Sequence, residues 1–155
     1  MLKVSDQAPD FCLQGDDGNL YRLNSFTNNA LVLFFYPKDS TPGCTAESID
    51  FSKLLEEFKS LSAQVVGVSK DSLTSHIGFK CKYSLDLLLL SDPDLSIHRQ
   101  YYAFKDSIFG KTAFMVNRST FLIDEKGKIL KCWYNVRVKN HAQTVLDTLK
   151  KIREK

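Results

Sequence analysis

Between Leu31 and Tyr36 the chain reads LVLFFY, an apolar run with no polar residue to mark a solvent face, and Pro37 ends it. A run of that length, half of it aromatic, is a strand, and a strand without alternation must be covered on both sides. It therefore belongs at the centre of a sheet with helices packed on each face. The chain around it supplies those elements. Upstream, "LQGDDGNLYRL" reads as a hairpin turning at Asp17-Gly18. Downstream, Phe51, Leu54, Leu55 and Phe58 recur at helical spacing, which predicts a helix from about Cys44 to Leu61.

A second strand, "QVVGVS", precedes "DSLTSHIGFKCKY", a helix beginning at Asp71 or Ser72 and weakened in its middle by Gly78. "LLLLSDPD" is a third strand and turn, and Leu95 to Tyr102 form a short helix. The stretch "KDSIFGKTAFMVN" is a long connection whose Phe and Met residues suggest that it packs over something. "STFLIDEKGKILKCWYNV" reads as two strands around a turn at Glu125 to Lys128. Ala142, Val145, Leu146, Leu149 and Ile152 then make a helical stripe, with Asn140 and Gln143 spaced as a capping box. The fold class is α/β: a mixed central sheet flanked by helices, with an N-terminal hairpin. No repeat or linker divides the chain, so residues 1–155 are expected to form a single domain.

Composition narrows the function classes. The excess of positive charge is +3 and is spread along the chain without a basic, aromatic-interleaved run, so nucleic acid is not an expected partner. The N-terminus "MLKVSDQAPDF" lacks an apolar signal segment, and no apolar run approaches a membrane span; a cytoplasmic protein is expected. Four cysteines, Cys12, Cys44, Cys81 and Cys132, are too dispersed for a disulfide framework. His76, His98 and His141 share no ligand-like spacing with them, so no metal is assigned. Cys12 and Cys132, inside strand patterns, read as small apolar residues. His76 reads as a helix-surface residue and His141 as a first-turn residue.

Cys44 differs from the other thiols. The loop that leaves the carboxyl end of a central strand is where such sheets bind ligands, and here that loop is "PKDSTPGC". It delivers Cys44 through a Pro-Gly turn to the start of a helix, where unpaired amides and the dipole favour a thiolate.

Pro37, Thr41 and Cys44 stand in a P-x-x-x-T-x-x-C pattern within "FYPKDSTPGCTAE". With "APDF", "SKDS", "LLSDPD", "RSTFLID" and "WYNVRVKNHA" in the same order, the sequence resembles the peroxiredoxins, and more narrowly their bacterioferritin comigratory protein (PrxQ) subfamily. The resemblance implies a thioredoxin-like fold, reduction of hydrogen peroxide and organic hydroperoxides, and no metal or organic cofactor. It implies that Cys44 attacks peroxide, that Arg118 reaches its sulfur, that Thr41 offers a hydroxyl to the peroxide oxygens, and that Pro37 closes the pocket. An arginine suits the role because it stays charged and presents a fork of donors. Glu47 would orient Arg118; as a plain helix residue it would be a solvated first-turn carboxylate.

Many members of this subfamily carry a resolving cysteine five residues after the first, and here that position is Ile49. Other members use a cysteine in the next helix, which makes Cys81 the candidate resolver, with thioredoxin or another thiol as reductant. The alternative is a one-cysteine enzyme reduced directly by an external thiol. On a helical wheel Cys81 shares a side with Leu73 and Ile77 and opposes Phe79: it is inert if the first pair faces the core and accessible if Phe79 and Tyr83 do. Two rival functions are a disulfide reductase, which would need a C-x-x-C pair, and a catalytically silent binding module. A monomer is expected from the resemblance.

Overall fold

The computed structural model describes residues 1–105 and 115–154. Its main sheet contains β1 (Cys12–Gly15), β2 (Leu20–Arg22), β3 (Ala30–Phe35), β4 (Ala63–Ser69), β5 (Leu88–Ser91), β8 (Ser119–Ile123) and β9 (Ile129–Trp133), in the order β2-β1-β5-β4-β3-β8-β9. β3, β4 and β5 run parallel, and every other pairing is antiparallel. The helices are α1 (Pro42–Lys53), α2 (Leu55–Ser60), α3 (Leu73–Tyr83), α4 (Ser96–Gln100) and α5 (His141–Arg153). The mixed sheet with its N-terminal hairpin is the one expected, with β3 fully buried between β4 and β8.

The apolar run works on both faces at once, because successive side chains of a strand point to opposite sides. Ala30, Val32 and Phe34 pack with Phe51, Phe58, Phe79 and the Val145, Leu146 and Leu149 stripe of α5. Leu31, Leu33 and Phe35 pack on the other side with Phe11, Phe26, Ile97 and Tyr101. Each fully buried side chain of this size contributes about 1.5–3 kcal/mol, so the sheet and its two covers are mutually dependent. That dependence fixes the end of β3, and hence the loop that follows it.

Several local expectations are corrected. The helix expected from Cys44 to Leu61 starts earlier, at Pro42, whose missing N–H costs nothing in a first turn. It also breaks at Leu54, where the backbone N–H turns to the carbonyls of Phe51 and Ser52 and α2 sets off anew. The start expected for α3 at Asp71 or Ser72 is met by Ser72, its hydroxyl accepting from the Ser75 N–H at 3.1 Å. The Asn140–Gln143 capping box does not form. Asn140 has a left-handed backbone (φ 61°) where a capping side chain needs an extended one, and Gln143 bonds Asp147 instead. Cys12, expected to be an apolar filler, is exposed, and Cys132 is half-exposed. In the long connection after α4, β6 (Phe104–Lys105) and β7 (Met115–Val116) pair as a small antiparallel ribbon. The remainder of that connection, 106–114, lies outside the described residues.

Candidate active site

The loop from Pro37 to Thr41 carries the chain from β3 to α1, and Cys44 is the third residue of that helix. First-turn amides precede the first helical bond, here the Thr45 N–H to the Thr41 carbonyl at 2.8 Å, so they face outward as donors. Cys44 is 1% exposed. Arg118, just before β8, donates from Nη2 to Cys44 Sγ at 3.3 Å and from Nη1 to Glu47 Oε1 at 2.7 Å. The backbone around it is held by β9's continuation: the Val136 N–H bonds the Arg118 carbonyl (3.0 Å), and the Asn135 N–H bonds Asn117 Oδ1 (3.1 Å). Gly43 completes the fit, since a β-carbon there would lie 3.2 Å from Arg118 Nη2.

Glu47 is not the solvated first-turn carboxylate of a plain helix: with α1 starting at Pro42 it lies beyond the first turn, is 1% exposed and is paired with Arg118. Burial pushes its carboxyl up to about 7, against the opposing pull of the guanidinium. Arg118 loses something to burial, but the anionic forms of Glu47 and Cys44 outweigh that and raise it above its ordinary value. Thr41 is half-buried, and its hydroxyl donates to the Lys38 carbonyl at 2.8 Å, which leaves oxygen lone pairs free to accept. Pro37 is half-buried directly after β3. His141 sits at the head of α5 with its Nε2 2.8 Å from Thr120 Oγ1. Burial and the Arg118 charge push its imidazole down to about 4, so it is neutral near pH 7.

A buried network behind the loop was invisible in the sequence. His76, expected on a helix surface, is fully buried. Its Nδ1 meets Asp39 Oδ2 at 2.8 Å, and its Nε2 meets the Leu90 carbonyl at 2.9 Å. A carbonyl only accepts, so Nε2 donates to Leu90, and Asp39 also receives the hydroxyls of Tyr36 (2.6 Å) and Ser75 (2.8 Å). The pair ties the Cys44 loop to α3. Burial pushes the Asp39 carboxyl up, but its donors outweigh burial and hold it below the ordinary carboxylate value. Its stabilising contribution is therefore present above the unfolded carboxylate value and lost as pH falls through the lowered folded one. Removing one partner strands the other, so His76→Ala should cost about 3 kcal/mol or more, read as a lowered denaturation midpoint. A midpoint unchanged from wild type would mean that the pair contributes nothing.

Cys81 is exposed. On α3 Phe79 turns into the core beside Tyr36 and Tyr83, while Ile77 faces out, so of the two wheel orientations the accessible one is observed. Among the described residues no cluster of three or more His, Cys, Asp or Glu side chains could hold a metal ion. Nor is any described helix long and apolar enough to cross a membrane.

Known proteins match this chain in sequence and in fold. The model of the AhpC/TSA family matches residues 4–132. The chain belongs to this family. Its relatives place it among the Bcp peroxiredoxins: it is 46% identical over 149 residues to the "Putative peroxiredoxin bcp" of Helicobacter pylori strain J99, covering 96% of this chain and 98% of that one. Against the Peroxiredoxin Bcp of Bacillus subtilis the identity is 42% over 155 residues, with 99% of each chain covered. The thioredoxin-like peroxiredoxin architecture follows from solved relatives. The bacterioferritin comigratory protein of Xanthomonas campestris superposes with a TM-score of 0.90 at 37% identity, over 99% of this chain and 98% of that one.

Proposed function

We propose that this peroxiredoxin is a thiol-dependent peroxidase in which Cys44 attacks hydrogen peroxide and organic hydroperoxides, with Arg118, Thr41 and Pro37 forming the pocket. The observation that carries the reading is the 3.3 Å approach of Arg118 Nη2 to the buried Cys44 sulfur at the first turn of α1. The Xanthomonas campestris relative, studied for alkyl peroxide reduction in trapped intermediate and ligand complexes, supports the substrate class. The Cys44 thiolate forms a bond to one peroxide oxygen as the O–O bond breaks; the departing alkoxide or hydroxide takes a proton and leaves as alcohol or water. Arg118 and the first-turn amides supply donors where negative charge builds up, while the Thr41 hydroxyl, its proton on the Lys38 carbonyl, can accept from the peroxide O–H. Cys44 is left as sulfenic acid. The reading is tested by peroxide consumption with a thiol donor, which a silent binding module would not support.

Resolution is assigned to Cys81. Its thiolate would attack the Cys44 sulfenic sulfur, water would leave, and a disulfide would form for reduction by thioredoxin or another thiol. The exposure of Cys81 and the presence of Ile49 at the alternative position support this route. A disulfide needs Cα atoms within about 7 Å, so the oxidised form should unwind locally, and Gly78 makes α3 cheaper to open. In Cys81→Ser, peroxide should carry Cys44 on to sulfinic acid more readily, and thioredoxin-supported turnover should be lost. Turnover equal to wild type, with no Cys44–Cys81 peptide after oxidation, would establish the one-cysteine route.

The whole chain is read as one domain, because α5, beyond the matched family residues, packs into the same core as β3. A monomer in the cytoplasm is the reading for its state and location. Among the exposed large apolar side chains of the described residues, Leu20 and Ile77 are far in sequence from Met1 and Val4, and the cycle needs a thiol-reducing compartment. The dispersed +3 charge supports a small-molecule substrate rather than nucleic acid.

A further inference from the structure

Arg118 serves two buried acids with one positive charge. Its Nη2 meets Cys44 Sγ at 3.3 Å, and its Nη1 meets Glu47 Oε1 at 2.7 Å. If both acids ionised, the site would hold a net negative charge out of contact with water, which is costly. The other ionisable groups that bear on the site do not supply the missing cation. Asp50, one turn along α1, adds negative potential at Glu47. His141, from α5, is neutral near pH 7, because burial and the Arg118 charge push it down to about 4.

The two acids are also unequally solvated by the protein. Cys44 has one bond from Arg118 and, in addition, the helix N-terminus to stabilise an anion. Glu47 has only the single bond to Arg118: its Oε2 is buried without a hydrogen-bond partner among the described residues. A carboxylate oxygen in that position gains nothing from carrying charge. Burial accordingly pushes Glu47 up to about 7.

We propose that Cys44 and Glu47 share one proton across Arg118, and that the reactive form of the site pairs the Cys44 thiolate with a neutral Glu47 carboxylic acid. Glu47 is then a positioning residue whose protonation frees Arg118 to serve the sulfur. Ionising Glu47 draws the arginine's charge away and makes the thiolate harder to form. The two groups titrate as a coupled pair rather than independently. This deepens the reading of Cys44 as the nucleophile and rests on it.

Glu47→Gln tests the sign. Glutamine keeps the shape and the acceptor facing Arg118 while fixing the neutral state. Thiolate formation, followed by its ultraviolet absorbance across pH, should be broad in the wild type. In Glu47→Gln it should narrow to a single-group curve displaced to lower pH by about one unit. A glutamate that acts only as a permanent anionic clamp gives the opposite result: its loss loosens Arg118 and moves thiolate formation to higher pH. That displacement, or an unchanged curve, would overturn the proposal. Should the variant fold poorly, infrared difference spectra of the wild-type protein decide. A carboxylic-acid carbonyl band present below neutrality and lost above it supports the shared proton, and its absence below neutrality overturns it. Neither readout uses turnover, so failure here is distinct from failure of the nucleophile assignment, which shows instead as peroxide consumption surviving in Cys44→Ser.

Discussion

Replacing Cys44 with serine should give a folded protein that consumes no measurable peroxide. Serine is close in size to cysteine, and the site it enters is 1% exposed and built from elements that do not depend on the sulfur. The Arg118–Glu47 pair, the β3 core and the Asp39–His76 pair all persist. The hydroxyl, however, does not ionise in the range where a thiol does, so neither the arginine nor the helix N-terminus has an anion to stabilise. Peroxide consumption with a thiol donor and a thermal unfolding curve, taken on the same preparation, separate lost chemistry from lost fold. Turnover at the wild-type rate would move the reaction to another residue.

Arg118→Met should slow the oxidation step by about 10²–10³-fold, the range expected when a preorganised donor is removed from a developing charge. Methionine fills the same space without the charge, so the Cys44 sulfur loses its contact at 3.3 Å while α1 keeps its position. Two readouts should move together. Stopped-flow oxidation should slow, and the pH profile of thiol alkylation should shift upward because the thiolate has lost its cation. Glu47, left without a partner, would take up a proton rather than stay buried as an anion, which limits the damage to the fold. An unchanged alkylation profile would mean that another group activates the thiolate.

The parts of this molecule legible in the sequence are those whose signal is local. LVLFFY had to be a strand covered on both faces, and β3 is buried along its whole length. The Pro-Gly turn ahead of Cys44 announced a helix start within one turn of the observed one. Arg118 was accessible only through the resemblance, because nothing within "VNRST" says that its side chain crosses to α1. Gly43 likewise has a reason only once the Arg118 fork is seen beside it. The burial of His76 leaves no trace in a hydrophobic count, where a polar residue carries no weight, although it stands at i, i+3 and i+7 with Phe79 and Tyr83 on the inward face. The break at Leu54 and the two-residue strands β6 and β7 arise from tertiary fit, and segments that short leave no periodicity. The orientation of α3 was undecidable because both faces of the helix carry apolar residues. The packing of Phe79 beside Tyr36 chose between them.

The central claim, that the Cys44 sulfur is the atom peroxide oxidises, is tested most directly by peptide mass mapping of the reduced protein after one equivalent of peroxide, with a sulfenic-acid trap present. The expected result places the modification on the peptide containing Cys44, either as trapped sulfenic acid or as a disulfide to the Cys81 peptide, with Cys12 and Cys132 still free thiols. An unmodified Cys44 peptide, with the oxidation found on exposed Cys12 or Cys81 alone, would contradict the account.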